Sequence, residues 1–109
     1  MTLEGYDGRE RILLHYDVAG EERSTAARVC QIVFGRVRST GNPMRPRRKV
    51  EGFIHRPGVV WIGQSVLVLP PSDAEELAAR LRGLRVRVSM ASVPISRTAL
   101  EAFRRRGLL

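Results

Sequence analysis

The stretch Ile12-Leu13-Leu14-His15-Tyr16-Asp17-Val18, followed at once by Ala19-Gly20, sets the narrowest limits on how this chain can fold. Aliphatic, aromatic and β-branched residues closed by a turn signal read as a short strand, from about Arg11 to Val18. It is expected to be the central strand of a sheet. At the end of such a strand the rigid sheet fixes a side chain and the loop exposes it. Asp17 stands there, which makes it the acid of greatest interest.

Around that strand the chain breaks into recognisable pieces. Residues 1–9 carry charges and glycines without a period and read as a loose arm. After Gly20-Glu21-Glu22, Ala26, Val29, Cys30, Val33 and Phe34 recur at spacings of three and four, the stripe of an amphipathic helix stopped by Gly35. Its acids complement the dipole. Residues 36–49 mix turn formers with arginines and show no apolar period, so a flexible basic loop is expected. Lys49 to His55 reads as a weak strand with a bulge at Gly52, and Val59 to Leu69 as one long strand kinked at Gly63. These two are expected to form a hairpin across Arg56-Pro57-Gly58.

A second helix follows Pro70-Pro71, with Ser72 as N-cap, Glu75 completing a capping box, and Ala74, Leu77, Ala78, Leu81 and Leu84 as its apolar stripe. Gly83 is expected to close it. Arg85 to Met90 alternates like a half-exposed strand. A last helix starts at Ser96, with Ile95 and Leu100 placed as a hydrophobic staple. The order strand, helix, strand, strand, helix, strand predicts an α+β fold: a ferredoxin-like βαββαβ sandwich. Its four-stranded antiparallel sheet carries two helices on one face, with a C-terminal helix added. The expected divisions are a flexible arm over 1–9, the domain over 10–93 and a helical extension over 94–109. The open sheet face predicts a homodimer.

With 109 residues, 43% of them hydrophobic and 28% charged, the chain is long enough for one modest core. The net charge of +8 narrows the partners. Lys49 is the only lysine among 19 basic residues, which leaves 18 arginines. Such a balance favours a polyanion, nucleic acid before an anionic membrane surface. A basic proteome, GC-rich coding or a hot habitat produces the same bias. Cys30 is alone, so it forms no disulfide within the chain and no cysteine zinc site. It is expected in the core of a protein from a reducing compartment. There is no signal-peptide pattern and no run that would span a bilayer, so no membrane association and a cytoplasmic location are expected.

Tyr16-Asp17-Val18 after an apolar strand, an Arg-bearing helix, and Gln64-Ser65-Val66 resemble the Cas-two family, the small ferredoxin-like subunits of the CRISPR spacer-acquisition complex. The resemblance spans roughly Ile12 to Val93. Similar domains occur in VapD-type toxins and in the C-terminal part of PaaX-type repressors. It implies a dimer that binds duplex DNA, a place in antiviral defence and a CRISPR integrase subunit as partner. For several members it also implies metal-dependent nuclease activity through the Asp ending the first strand, with Mg²⁺ or Mn²⁺ as cofactor. Only Asp17 matches that role. The chain departs from the family in its longer, more basic segment between Arg36 and Gly58 and in its helical C-terminus.

One carboxylate is a poor site for a hard cation, which wants several oxygen ligands. A two-fold dimer that paired two copies of Asp17 is the arrangement by which a catalytic, metal-binding Asp17 would work. The plainer role is a cap of the Gly20 turn or the following helix. His15 and His55 are the only histidines. Strand alternation puts His15 on the face of Asp17, although a lone strand histidine is ordinarily a packing residue. Arg36, Arg38, Arg45, Arg47, Arg48 and Lys49 are the candidate nucleic-acid-binding residues, for DNA or RNA, with Ser39, Thr40 and Asn42 as neutral donors. A solvated charged loop is the alternative. Arg104-Arg105-Arg106 reads as a dipole-compatible helix end, and Trp61 as core or dimer interface. Three functions remain open: a dimeric nucleic-acid-binding protein, a metal-dependent endonuclease with paired Asp17 carboxylates, and a non-catalytic protein-interaction subunit.

Overall fold

The computed structural model describes residues 10–18, 23–42 and 45–107, so the expected N-terminal arm lies outside it. Strand β1 (Glu10–Asp17) is followed by helix α1 (Arg23–Phe34), strands β2 (Arg36–Asn42) and β3 (Arg45–Val50), and a 3₁₀ turn at Phe53–His55. Then come β4 (Val60–Gly63), β5 (Val66–Leu69), α2 (Pro71–Gly83), β6 (Arg87–Pro94) and α3 (Arg97–Gly107). The main sheet has the order β4-β5-β1-β6, antiparallel throughout, while β2 and β3 pair only with each other. The strand read as central is internal to the sheet. It is held on both sides, with Leu14 opposite Leu67 on β5 and Met90 on β6.

One buried cluster joins Leu14 and Tyr16 of β1, Leu67 and Leu69 of β5, Val29 and Val33 of α1, and Ala74, Leu77, Ala78 and Leu81 of α2. The period-two rule sends Val68 to the opposite face from Leu67 and Leu69. There Val60 and Val68 pack with Leu100 of α3, Ile62 and Ile95. The face expected to stand open is therefore half covered by the C-terminal helix. Ile95 and Leu100 share this cluster as the staple predicted, and the Ala99 N–H donates to the Ser96 hydroxyl at 3.1 Å, as an N-cap should.

Several expectations are corrected. The basic segment 36–49 forms the β2–β3 hairpin rather than a loop. Apolar alternation records a buried face, and a hairpin that joins no larger sheet has little need of one. The weak strand at 49–55 divides into the end of β3 and the 3₁₀ turn, in which the Gly52 N–H donates to His55 Nδ1 at 3.0 Å. The single strand over 59–69 is a hairpin of its own, turning at Gln64-Ser65, where Ser65 has φ +20. Gln64-Ser65-Val66 thus straddles that turn instead of lying within a strand. Cys30 and Ala26 are exposed, because α1 turns Val29, Ile32 and Val33 toward the core. The acids Glu21 and Glu22 lie outside the described residues.

The start of α2 also differs from expectation. Pro70 occupies the N-cap position without a side-chain cap, and Pro71 sits at the first helical position, where its missing N–H costs nothing. At the other end α2 closes at Gly83 as expected, and the left-handed residue comes two positions later at Arg85, with φ +63. The Val86 N–H reaches the Leu81 carbonyl at 3.0 Å and the Arg85 N–H reaches that of Arg82 at 2.9 Å. This is a Schellman ending with an arginine where glycine is preferred. Its hydrophobic contact is supplied by Leu81 and Val86, both in the core.

Candidate nucleic-acid interface

The hairpin leaves the body through a tight neck. Gly35, at φ +80, ends α1 with its N–H on the Gln31 carbonyl at 2.9 Å. A Cβ there would lie within 3.0 Å of the Val50 carbonyl oxygen and the Gly52 nitrogen. A Cβ on Gly52 would in turn meet the Gly35 nitrogen and the backbone of Val33 and Phe34. The outgoing and returning chains therefore touch backbone to backbone, and this contact sets the hairpin's root against α1.

From that neck the register places the predicted binding residues. Arg36 pairs with Val50, Val37 with Lys49, Arg38 with Arg48 and Ser39 with Arg47. An irregularity follows, and then Asn42 pairs with Arg45. Residues that the sequence scatters through a loop are thus gathered on one two-stranded ribbon. No Asp or Glu falls between Gly35 and Val50.

At the foot of the ribbon the exposed Arg36 donates through Nη1 to Gln31 Oε1 at 3.1 Å. A groove of about 320 Å³ opens there, where Arg28 of α1 and Arg80 of α2 join Arg36. Sequence reasoning missed Arg28 and Arg80. Each is an isolated arginine on an exposed helical position, and only their convergence in space singles them out. Nearby, Arg56 ties the 3₁₀ turn to α2. Its guanidinium reaches both oxygens of Glu76 at 2.8 Å and Asp73 at 3.1 Å, and lies 3.9 Å from the Phe53 ring centre. These carboxylates hold the Arg56 guanidinium well above its usual range, and Arg56 in turn lowers that of Glu76.

Asp17 is exposed at the end of β1, and the residue opposite it in register is Arg87. His15 is exposed on the same face, opposite Ser89, while Tyr16 between them is buried. Among the described residues no three His, Cys, Asp or Glu side chains gather as a metal site. His55 is engaged with the Gly52 N–H. Trp61 is half-buried against the core and meets Phe34 edge-on, with ring centres 5.7 Å apart. Arg104 lies 3.9 Å from Glu101 on its own helix. No helix of the described residues is long and apolar enough to cross a membrane. Comparison with protein-family models, curated proteins and solved structures returned no match.

Proposed function

We propose that this protein binds nucleic acid through the sugar-phosphate backbone, with the β2–β3 hairpin as the engaging element. The observation that carries the reading is the register: Arg36, Arg38, Arg45, Arg47, Arg48 and Lys49 lie on one ribbon, with Arg38 opposite Arg48 and no acid among them. A two-stranded ribbon of this kind is narrow enough to enter a groove of duplex DNA, and its charge is suited to phosphates rather than to base edges. The body is proposed to be ferredoxin-like, with the hairpin inserted after the first helix. The sheet order β4-β5-β1-β6 and the cluster shared by α1 and α2 support that architecture. A homodimer, as in the Cas-two family it resembles, is proposed to use the uncovered half of the sheet, where Leu13 remains 36% exposed.

The test is the salt dependence of binding. A protein that neutralises one phosphate fewer has a slope of log K against log salt that is shallower by about one unit. Replacing Arg45, Arg47 and Arg48 by Ala is expected to weaken binding across unrelated sequences and to flatten the slope by about two to three units. The same change at Arg104, Arg105 and Arg106 is the control. Equal losses of affinity in both triple variants, or an unchanged slope in the hairpin variant, remove the hairpin from the account. Sedimentation of the parent protein at tens of micromolar, roughly where a weak interface would hold, tests the dimer, and a monomer there counts against it.

A further inference from the structure

We infer that the groove between α1, the foot of β2 and α2 is a seat for one phosphate group. Arg28, Arg36 and Arg80 line it from three separate elements, together with Gln31 and Glu51, around a cavity of about 320 Å³. That volume lies near the lower end of the ~300–1,000 Å³ found for small-ligand sites. Three guanidinium groups brought to one concavity repel each other. Glu51 is the one carboxylate among the lining residues, which leaves two positive charges for a ligand to meet.

Two of the three forks are already oriented. Arg36 is held by Gln31 Oε1 at 3.1 Å, and Arg80 lies over the Phe53 ring, 5.5 Å from its centre. Glu76, a carboxylate that feels the charge of Arg80, has its two oxygens each engaged by Arg56 at 2.8 Å. Planar guanidinium forks match the oxygens of a phosphate in pairs, which a lone ammonium does not. The chemistry assigned is therefore a phosphate, whether a strand end, an internal phosphodiester or free orthophosphate supplies it. The inference rests on the nucleic-acid reading for its source, while its anion chemistry stands independently.

The experiment uses the full chain in two assays. Thermal melting in orthophosphate is compared with melting in chloride at equal ionic strength, and fluorescence anisotropy is read with 5′-phosphorylated and 5′-hydroxyl oligonucleotides. Orthophosphate is expected to raise the melting temperature of the parent. Arg28→Gln with Arg80→Gln should remove that rise, and Arg28→Gln alone should reduce it should the pair impair folding. Arg82→Gln with Arg97→Gln, which changes as many exposed charges outside the groove, should leave it intact. A loss of tenfold or more confined to the phosphorylated strand assigns the seat to a strand end, and equal losses assign it to an internal phosphodiester. A phosphate effect that survives the groove substitutions, or that falls as much in the control, overturns the seat. If the parent binds no oligonucleotide while orthophosphate still acts through Arg28 and Arg80, the nucleic-acid reading fails and the seat stands.

Discussion

The neck at Gly35 and Gly52 is the most sharply testable feature of the fold. Gly35→Ala carries two costs. At φ +80 an L-residue occupies left-handed space, at about 1–2 kcal/mol. The new methyl must also displace the Val50 carbonyl and the Gly52 nitrogen, which are backbone atoms that cannot rotate aside. Overpacking of that kind costs about 1–3 kcal/mol. Together these predict a loss of about 2–5 kcal/mol, a large fraction of the ~5–15 kcal/mol that holds an ordinary domain. Gly52→Ala carries only the steric part, since φ there is −98, and should cost about 1–3 kcal/mol. Each methyl would press on the other glycine's backbone, so the double variant should lose less than the sum of the singles. Gly83→Ala is the reference: it lies in α2 with nothing within 4 Å of the added methyl, and it should gain about 0.5–1 kcal/mol. Urea unfolding followed by circular dichroism measures all four. A Gly35→Ala protein within about 0.5 kcal/mol of the parent, inside the scatter of ordinary surface changes, would refute the backbone contact on which the hairpin's placement depends.

Three further outcomes follow from other sites. Arg85→Gly should raise stability by up to about 1 kcal/mol, because it relieves a left-handed arginine in the Schellman ending, and a fall in the urea midpoint would contradict that geometry. Glu76→Gln tests the tie to Arg56: the hydrogen bond from Arg56 lowers the folded carboxylate's pKa, so its stabilisation is present above the unfolded value and is lost as pH falls through the folded one. The gap in melting temperature between parent and variant should therefore be widest near neutrality and close once the pH falls below the lowered folded-state pKa, and a gap that persists in acid would show packing rather than charge. Asp17→Ala should leave both nucleic-acid affinity and melting temperature unchanged, since Asp17 is exposed and is not part of the hairpin. Should the parent cleave DNA or RNA with Mg²⁺ or Mn²⁺ and Asp17→Ala not, the paired-carboxylate nuclease would replace the binding reading.

Features encoded within a single element were legible from the residues alone. The apolar density of Ile12–Val18 marked an internal strand, the spacing of Ala74, Leu77, Ala78 and Leu81 marked the buried stripe of α2, and Gly35 and Ser96 marked a helix stop and a helix cap. Each of these is a local preference of backbone or burial, readable without knowing the neighbours. The arginines of 36–49 stood out as a binding segment by composition, but their pairing did not. A small ribbon outside the main sheet shows no period-two apolar pattern from which to read a strand.

Features that depend on how elements meet required the folded chain. Gly52 reads as a strand bulge until its backbone is seen against Gly35, a contact between residues seventeen positions apart. Arg28 and Arg80 are ordinary on their helices and acquire meaning only where α1 and α2 bring them to Arg36. Cys30 matches an apolar period yet faces outward, because the rotation of α1 is set by the packing of Val29 and Val33 against the sheet rather than by the period itself. The surroundings of Asp17 belong here too: a strand end can present a carboxylate, but the residue opposite it depends on the neighbouring strand, which here places Arg87 there.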